Sequence, residues 1–392
     1  MRFRELAVSE MTDAQRAVHR DVCAGPRGRL GVPTNVLLRC AGLAGATQKI
    51  GEYVRFKSSL PNRISEFAIM MTARYWTAQY EWHAHCPLAI KAGLSQDVAN
   101  QLARGKRPDG MRDDESAAYQ FCTELHRDKS VSDAAYAAAL QQFGENGVVD
   151  LIGVSGYYTL ISMCLIVNQM TVPSGLPDPL PILDHAHGVL LDTAATAKNA
   201  ESEENIGPVR LGELREDQMS EAQRAVCREL LSGPGNSIST PMKVLLRSPE
   251  LARRAQKVSE YLRFEGKLPA HLVQFAIVIA ARYWRAETMW HSHTLQAIAA
   301  GLGATTVSDL AREKRPAGMQ ADEEVAYQFC TELHGDKNLS DGTFDTAIKQ
   351  FGEQGTVELI GVSGYYTLAA MALKVARMSL PAGTPSPFAA RT

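Results

Sequence analysis

Residues 80–94 read YEWHAHCPLAIKAGL and residues 288–302 read TMWHSHTLQAIAAGL, so a tryptophan, two histidines and an A-x-x-x-G-L tail recur in register. The glutamate does not recur. Glu81 becomes Met289, which replaces an ionisable acid by a thioether that can neither give nor take a proton. Upstream lie Glu66 and Arg74, and the steps from Glu66 to Arg74, Glu81 and His85 are 8, 7 and 4 residues. Each step is near a whole number of helical turns, so on one continuous helix all four side chains fall within about a 100° arc. If the helix breaks near Thr77, Glu81 and His85 still share a face. Two carboxylates, an imidazole and a guanidinium on one apolar-flanked stripe must either satisfy one another or serve a ligand, because burying a charge without a partner is costly.

The downstream equivalents of the four are Gln274, Arg282, Met289 and His293. Arginine and histidine persist while both acids are lost. An ion-pair network needed for folding should survive in both places, whereas chemistry is needed only once. Glu66, Glu81 and His85 are therefore the candidate catalytic residues, and Arg74 the candidate anion binder. His83 and Trp82 are further candidates for a substrate-binding wall, although Trp82 is most simply a core aromatic.

His83 and His291 stand two residues before His85 and His293 and project about 200° away on a helix, so neither H-x-H makes a shared metal face. With no third ligand at metal-site spacing, no metal site and no cofactor are expected. His126 and His334, in the twice-used FCTELH, read as helix-end histidines facing carbonyls. The paired Tyr157–Tyr158 and Tyr365–Tyr366 read as core aromatics, with one hydroxyl able to reach a pocket.

The elements that must position these groups are helical throughout. The stretch from Glu66 to Ala92 lacks proline until Pro87 and stops at Gly93, a suitable C-terminal cap. Further helices are expected from Asp113 to Leu125, from the Ser132 N-cap through SDAAYAAALQQFG, and from Val148 to Met170, where Gly153 and Gly156 permit close packing. No alternating strand pattern is present, so the fold is expected to be all-α. AQRAV, ARYW, AYQFCTELH and GVSGYYTL each occur twice, always 208 residues apart. The chain divides accordingly into a first copy over 1–181, a linker over 182–209 carrying His185 and His187 as exposed residues, and a second copy over 210–392.

The 392 residues carry a formal net charge of −2 with acids and bases intermixed, which offers no basic stripe for nucleic acid. The N-terminus lacks the apolar core of a secretory signal, and no run approaches the roughly 20 apolar residues of a membrane helix, so a soluble cytoplasmic protein is expected. The seven cysteines are scattered and odd in number, as reduced thiols would be.

A glutamate opening a helix, followed about fifteen residues later by Y-E-W-x-x-H-x-x-x-A-x-x-x-G-L, resembles the carboxymuconolactone decarboxylase family of the alkylhydroperoxidase D-like superfamily. The likeness extends over both copies, including C-T-E-L, V-S-D and G-Y-Y-T-L. It implies an all-helical unit that assembles into rings, so that a fused tandem would form a trimer resembling a hexamer. Residue by residue it carries Glu66, Glu81 and His85 onto the family's two glutamates and histidine, leaving only His293 in the second copy. It implies a cofactor-independent lyase acting on a small lactone or related acid of aromatic-compound breakdown. The peroxidase branch needs two cysteines where this chain has Ala78 and Glu81, and Ala286 and Met289, which disfavours thiol chemistry. The rival expectations are another enzyme on the same scaffold, such as an isomerase, hydrolase or redox protein, and a non-catalytic oligomeric binding or scaffold protein.

Overall fold

A computed structural model describes residues 1–183 and 207–388; most of the expected linker, with His185 and His187, lies outside the described residues. Among these residues the regular structure is entirely helical. The first half contributes α1 (Asp13–Ala24), α2 (Val32–Leu37), α3 (Ala41–Phe56), α4 (Asn62–Trp76), α5 (Gln79–Lys91), α6 (Gln96–Ala103), α7 (Asp113–Arg127) and α8 (Asp133–Val167). The second half contributes α9 (Glu221–Ser232), α10 (Thr240–Leu245), α11 (Pro249–Glu260), α12 (Ala270–Tyr283), α13 (Glu287–Ala299), α14 (Ala304–Ala311), α15 (Ala321–Thr331) and α16 (Asp341–Val375). The order is the same in both, and five of the eight pairs keep both bounds at the offset of 208. The two halves differ mainly where α11 and α15 end in wide π-helical turns, Tyr261–Glu265 and Glu332–Asp336.

Local chemistry explains the boundaries. Thr12 and Gln15 close a reciprocal cap on α1, and Ser132 and Ser340 accept the backbone N–H three residues on to start α8 and α16. The long stretch from Glu66 to Ala92 is not one helix. Thr77 adopts a left-handed backbone, with φ of 51°, which ends α4 and turns the chain back into α5. The third and fourth expected helices are joined in α8, broken only at Gly144, where φ is 65° and ψ 178°. Gly352 repeats this break in α16, with φ of 67°.

From Ile64 to Trp76 every residue of α4 is buried, and α4 packs on α5, α7 and α8. The two long helices cross at the centre of the molecule. A methyl group placed on Gly156 would lie 2.8 Å from the Leu368 Cα, and one on Gly364 would lie 2.7 Å from the Leu160 Cα, so each half offers a glycine to the other's leucine. At the periphery Arg2 pairs with Asp341 and Arg210 with Asp133, both at 2.6 Å, reproducing the same exchange. Contrary to the sequence expectation, α8 and α16 are long and apolar enough to span a bilayer, but 94% and 100% of their apolar windows are buried inside the protein. Core helices of a folded domain have that character.

Candidate functional site

The first-half site forms where α4 and α5 fold back on one another. His85 Nδ1 lies 2.6 Å from Glu66 Oε2, and both side chains are buried. On one straight helix residues nineteen apart would be separated by about 28 Å, so this contact depends on the reversal at Thr77 and not on a common helical stripe. Glu66 Oε1 also accepts a hydrogen bond from Arg55 Nε of α3 at 3.2 Å. Burial opposes ionisation of Glu66, yet the His85 and Arg55 contacts prevail and hold its carboxyl below the usual range. Burial lowers the His85 pKa despite the opposing pull of Glu66. A neutral His85 then donates Nδ1–H to the carboxylate and keeps its Nε2 lone pair for other use.

Glu81, on the first turn of α5, sits in a different setting. The Ser162 hydroxyl of α8 donates to its Oε2, while Oε1 is buried with no hydrogen-bond partner among the described residues. Burial pushes its pKa up to about 8, with Ser162 pulling weakly the other way, so at neutral pH the group is largely a protonated acid. Glu81 and His85 therefore share a helix but take different partners.

Arg74 does not join them. Because α4 stops two residues later, its guanidinium turns to the Ala103 and Pro181 carbonyls and the Thr77 hydroxyl, each at 2.9 Å. It is fully buried, and burial lowers its pKa to about 10. The expected anion binder is a clamp on the end of α6 and on the segment after α8. Trp82 lies in the hydrophobic core, and His83 is half-buried with no hydrogen-bond partner among the described residues. His126 also departs from expectation: it is buried away from carbonyls, bonds Thr72 Oγ1 at 3.0 Å and stacks on Tyr75 at 4.9 Å. At its counterpart His334 the place of Thr72 is taken by Ala280, and neither ring nitrogen has a hydrogen-bond partner among the described residues.

Spacing alone did not reveal the rest of the site. Tyr158 meets His85 edge-on at 5.1 Å, and its buried hydroxyl has no partner among the described residues. Arg27 reaches the Tyr157 hydroxyl at 3.3 Å. A Cβ on Gly51 would lie 2.3 Å from Arg27 Nη2 and 2.1 Å from the Tyr157 Oη, so only glycine leaves room for that approach. Tyr157 and Tyr158, expected as core aromatics with one hydroxyl able to reach a pocket, are kept as Tyr365 and Tyr366, whereas comparing the two copies exposes Arg27, Gly51 and Ser162. Arg27 and Gly51 become Gly235 and Ser259 together, and Glu81 and Ser162 become Met289 and Ala370 together.

The second half keeps the frame and loses both acids. His293 Nδ1 bonds Gln274 Oε1 at 2.8 Å and meets Tyr366 edge-on at 5.2 Å, and burial lowers its pKa to about 3. Met289 is buried, and His291 is exposed. Arg282 repeats the clamp, donating from Nε to the Leu310 carbonyl at 3.1 Å and pairing with Glu313 at 2.6 Å.

A cleft of about 470 Å³ opens over Glu66, lined by Arg55, Ser58, Asn62 and Lys91 among others. The turn beside it is tied to both halves. Asp150 of α8 accepts from the Ser59 N–H at 2.7 Å and from the Ser248 hydroxyl at 2.8 Å, fixing the turn that leads into α4. Among the described residues no three potential metal ligands cluster. Comparison with family models, curated proteins and solved structures gives no match.

Proposed function

We propose that the first half is the catalytic unit of a cofactor-independent carboxy-lyase acting on a small lactone or related acid, as the resemblance to carboxymuconolactone decarboxylases implies. The observation that carries this reading is Glu81, a buried acid with one unpartnered oxygen, in the half that also keeps a carboxylate on its histidine. When a carboxylate beside an unsaturated lactone leaves as carbon dioxide, the bonding pair stays behind as a dienolate, and its carbon must take up one proton. A carboxyl protonated at neutral pH supplies that proton and is left as a carboxylate; neutral His85, oriented by Glu66, takes a proton from solvent at Nε2 and passes it on to restore the Glu81 acid. Arg74, bound to backbone carbonyls, has no part in substrate binding on this reading.

Thiol chemistry has little support: Cys86, next to His85, has its pKa raised by burial, and so do the buried Cys122 and Cys164. The test is to screen the purified protein against lactone acids and hydroperoxides, with Glu81→Gln as control. Carbon dioxide release by the wild type and its loss in the variant are expected. Peroxide turnover, or lactone turnover unchanged in Glu81→Gln, overturns the reading.

The assembly proposed with it is a trimer. Phe264, Leu295 and Ile298 of the second half are 51%, 63% and 45% exposed, apolar surface of the kind that subunit contacts cover. Light scattering that gives a single 42.8 kDa species would rule it out.

A further inference from the structure

We infer that the cleft over Glu66 binds a small carboxylate, with the terminal nitrogens of Arg55 and the ammonium of Lys91 taking its charge. The volume of about 470 Å³ suits a compact ligand. Glu66 is saturated, its two oxygens taken by His85 and by Arg55 Nε. Arg55 spends only Nε on that contact; its terminal nitrogens have no hydrogen-bond partner among the described residues, and the side chain is 18% exposed. Lys91 is exposed at the rim and pairs with no carboxylate among the described residues. One acid and two bases leave the cleft with a surplus positive charge.

A lysine in the last turn of a helix is favourable on dipole grounds alone, so its presence does not decide the matter. The second half does. There Arg263 keeps the place of Arg55, but Gln296 replaces Leu88, and its Oε1 accepts from Arg263 Nη2 at 3.0 Å. The guanidinium that faces an open cleft in one half is capped internally in the other. The remaining polar groups go with it: Ser58, Asn62 and Lys91 become Gly266, Ala270 and Ala299. A role confined to solubility or helix stability gives no reason for capping the arginine at the same time as the surrounding donors are lost. A ligand bound in only one half does.

The apolar part of the wall, Phe56, Leu60 and Leu88, suits a carboxylate carried on a compact unsaturated or ring-shaped body. This inference rests on the carboxy-lyase reading for the identity of the anion as a carboxylate. The open guanidinium and the capped one stand independently of it.

The experiment is calorimetric titration of the full-length protein with benzoate, and separately with inorganic phosphate, at low ionic strength. Wild type should bind benzoate in preference to phosphate. Leu88→Gln, which imports the second half's cap, and Lys91→Ala should each weaken benzoate binding by roughly 10- to 100-fold, the range for a lost charge-assisted contact. Thermal melting of both variants, altered only at the rim, should stay at the wild-type value, which separates lost binding from lost folding. Absence of benzoate binding by wild type, equal affinity in wild type and Leu88→Gln, or tighter binding of phosphate would each overturn the inference. Benzoate binding by a wild-type protein that turns over no lactone acid would refute the lyase and leave the anion site standing.

Discussion

His85 Nδ1 lies 2.6 Å from Glu66 Oε2, and His293 Nδ1 lies 2.8 Å from Gln274 Oε1, so exchanging the acid for its amide leaves the imidazole in the same place. The second half thus provides a natural control for the first. Glu66→Gln should fold normally and keep the ring position. It removes the group that raises the His85 pKa, so the acid limb of the rate–pH profile should move to lower pH and turnover should fall by on the order of 10²-fold. An unchanged profile would show that the carboxylate is not coupled to the imidazole.

Glu81→Gln should lower turnover by about 10²- to 10⁴-fold, the range for a lost general acid. Met289→Leu, at the equivalent buried place, changes no ionisable group and nearly conserves volume, so it should cost under about 1.5 kcal/mol and leave the rate unaltered. Parallel stability and turnover measurements separate the two effects; equal rate losses would contradict a single catalytic half.

Glu81 also predicts a pH dependence of stability. Its folded pKa of about 8 exceeds the ordinary 4.5, so between these values the native protein holds a proton that the unfolded chain releases. Stability therefore falls as pH rises through that window, by at most about 1.4 kcal/mol per unit from this group. His85 works in the opposite sense: its lowered pKa costs stability as pH falls below about 6.5. Urea unfolding of wild type and Glu81→Gln at about pH 5.5 and about pH 8 cancels the His85 contribution. The variant should gain on wild type by on the order of 3 kcal/mol across that interval. A difference that does not change with pH would mean that Glu81 is ionised in the fold.

How much of this was legible in the sequence depended on whether a contact runs along the chain or across it. The turn at Gly93, the cap at Ser132 and the close packing at Gly156 follow from local chemistry and are legible in the sequence as features of an all-helical chain. Glu66 and His85 were paired by helical phase, yet they meet because Thr77 reverses the chain, and the same reversal sends Arg74 to the Ala103 and Pro181 carbonyls. Phase on a helical wheel carries no information about where a helix stops. Arg27, Arg55 and Ser162 reach the site from other helices and loops, which periodicity cannot register. For Arg27 and Ser162 the signal lay in joint exchange between the copies; Arg55, kept as Arg263, gave none.

The central crossing yields a further test. A methyl on Gly156 has no room against the Leu368 backbone, so Gly156→Ala should cost about 1–3 kcal/mol or more, with Gly364→Ala similar. Because both act at one crossing, the double variant should cost less than the sum of the singles, as happens once a first substitution has already pushed the helices apart. Strict additivity in chemical denaturation would place the two contacts in independent regions.

That crossing, in which each half lends a glycine to the other's leucine, has the form of a two-fold dimer interface enclosed within one chain. In a true homodimer every substitution is made on both sides of the axis at once, so a residue cannot be kept in one subunit and abandoned in its twin. Joining the halves covalently lifts that restriction. Arg27 can be retained while Gly235 replaces its image, and Asp150 of the first half can rely on Ser248 of the second to hold its turn. Fusion turns a symmetric scaffold into one that can specialise on one side while its twin continues to serve as the other wall.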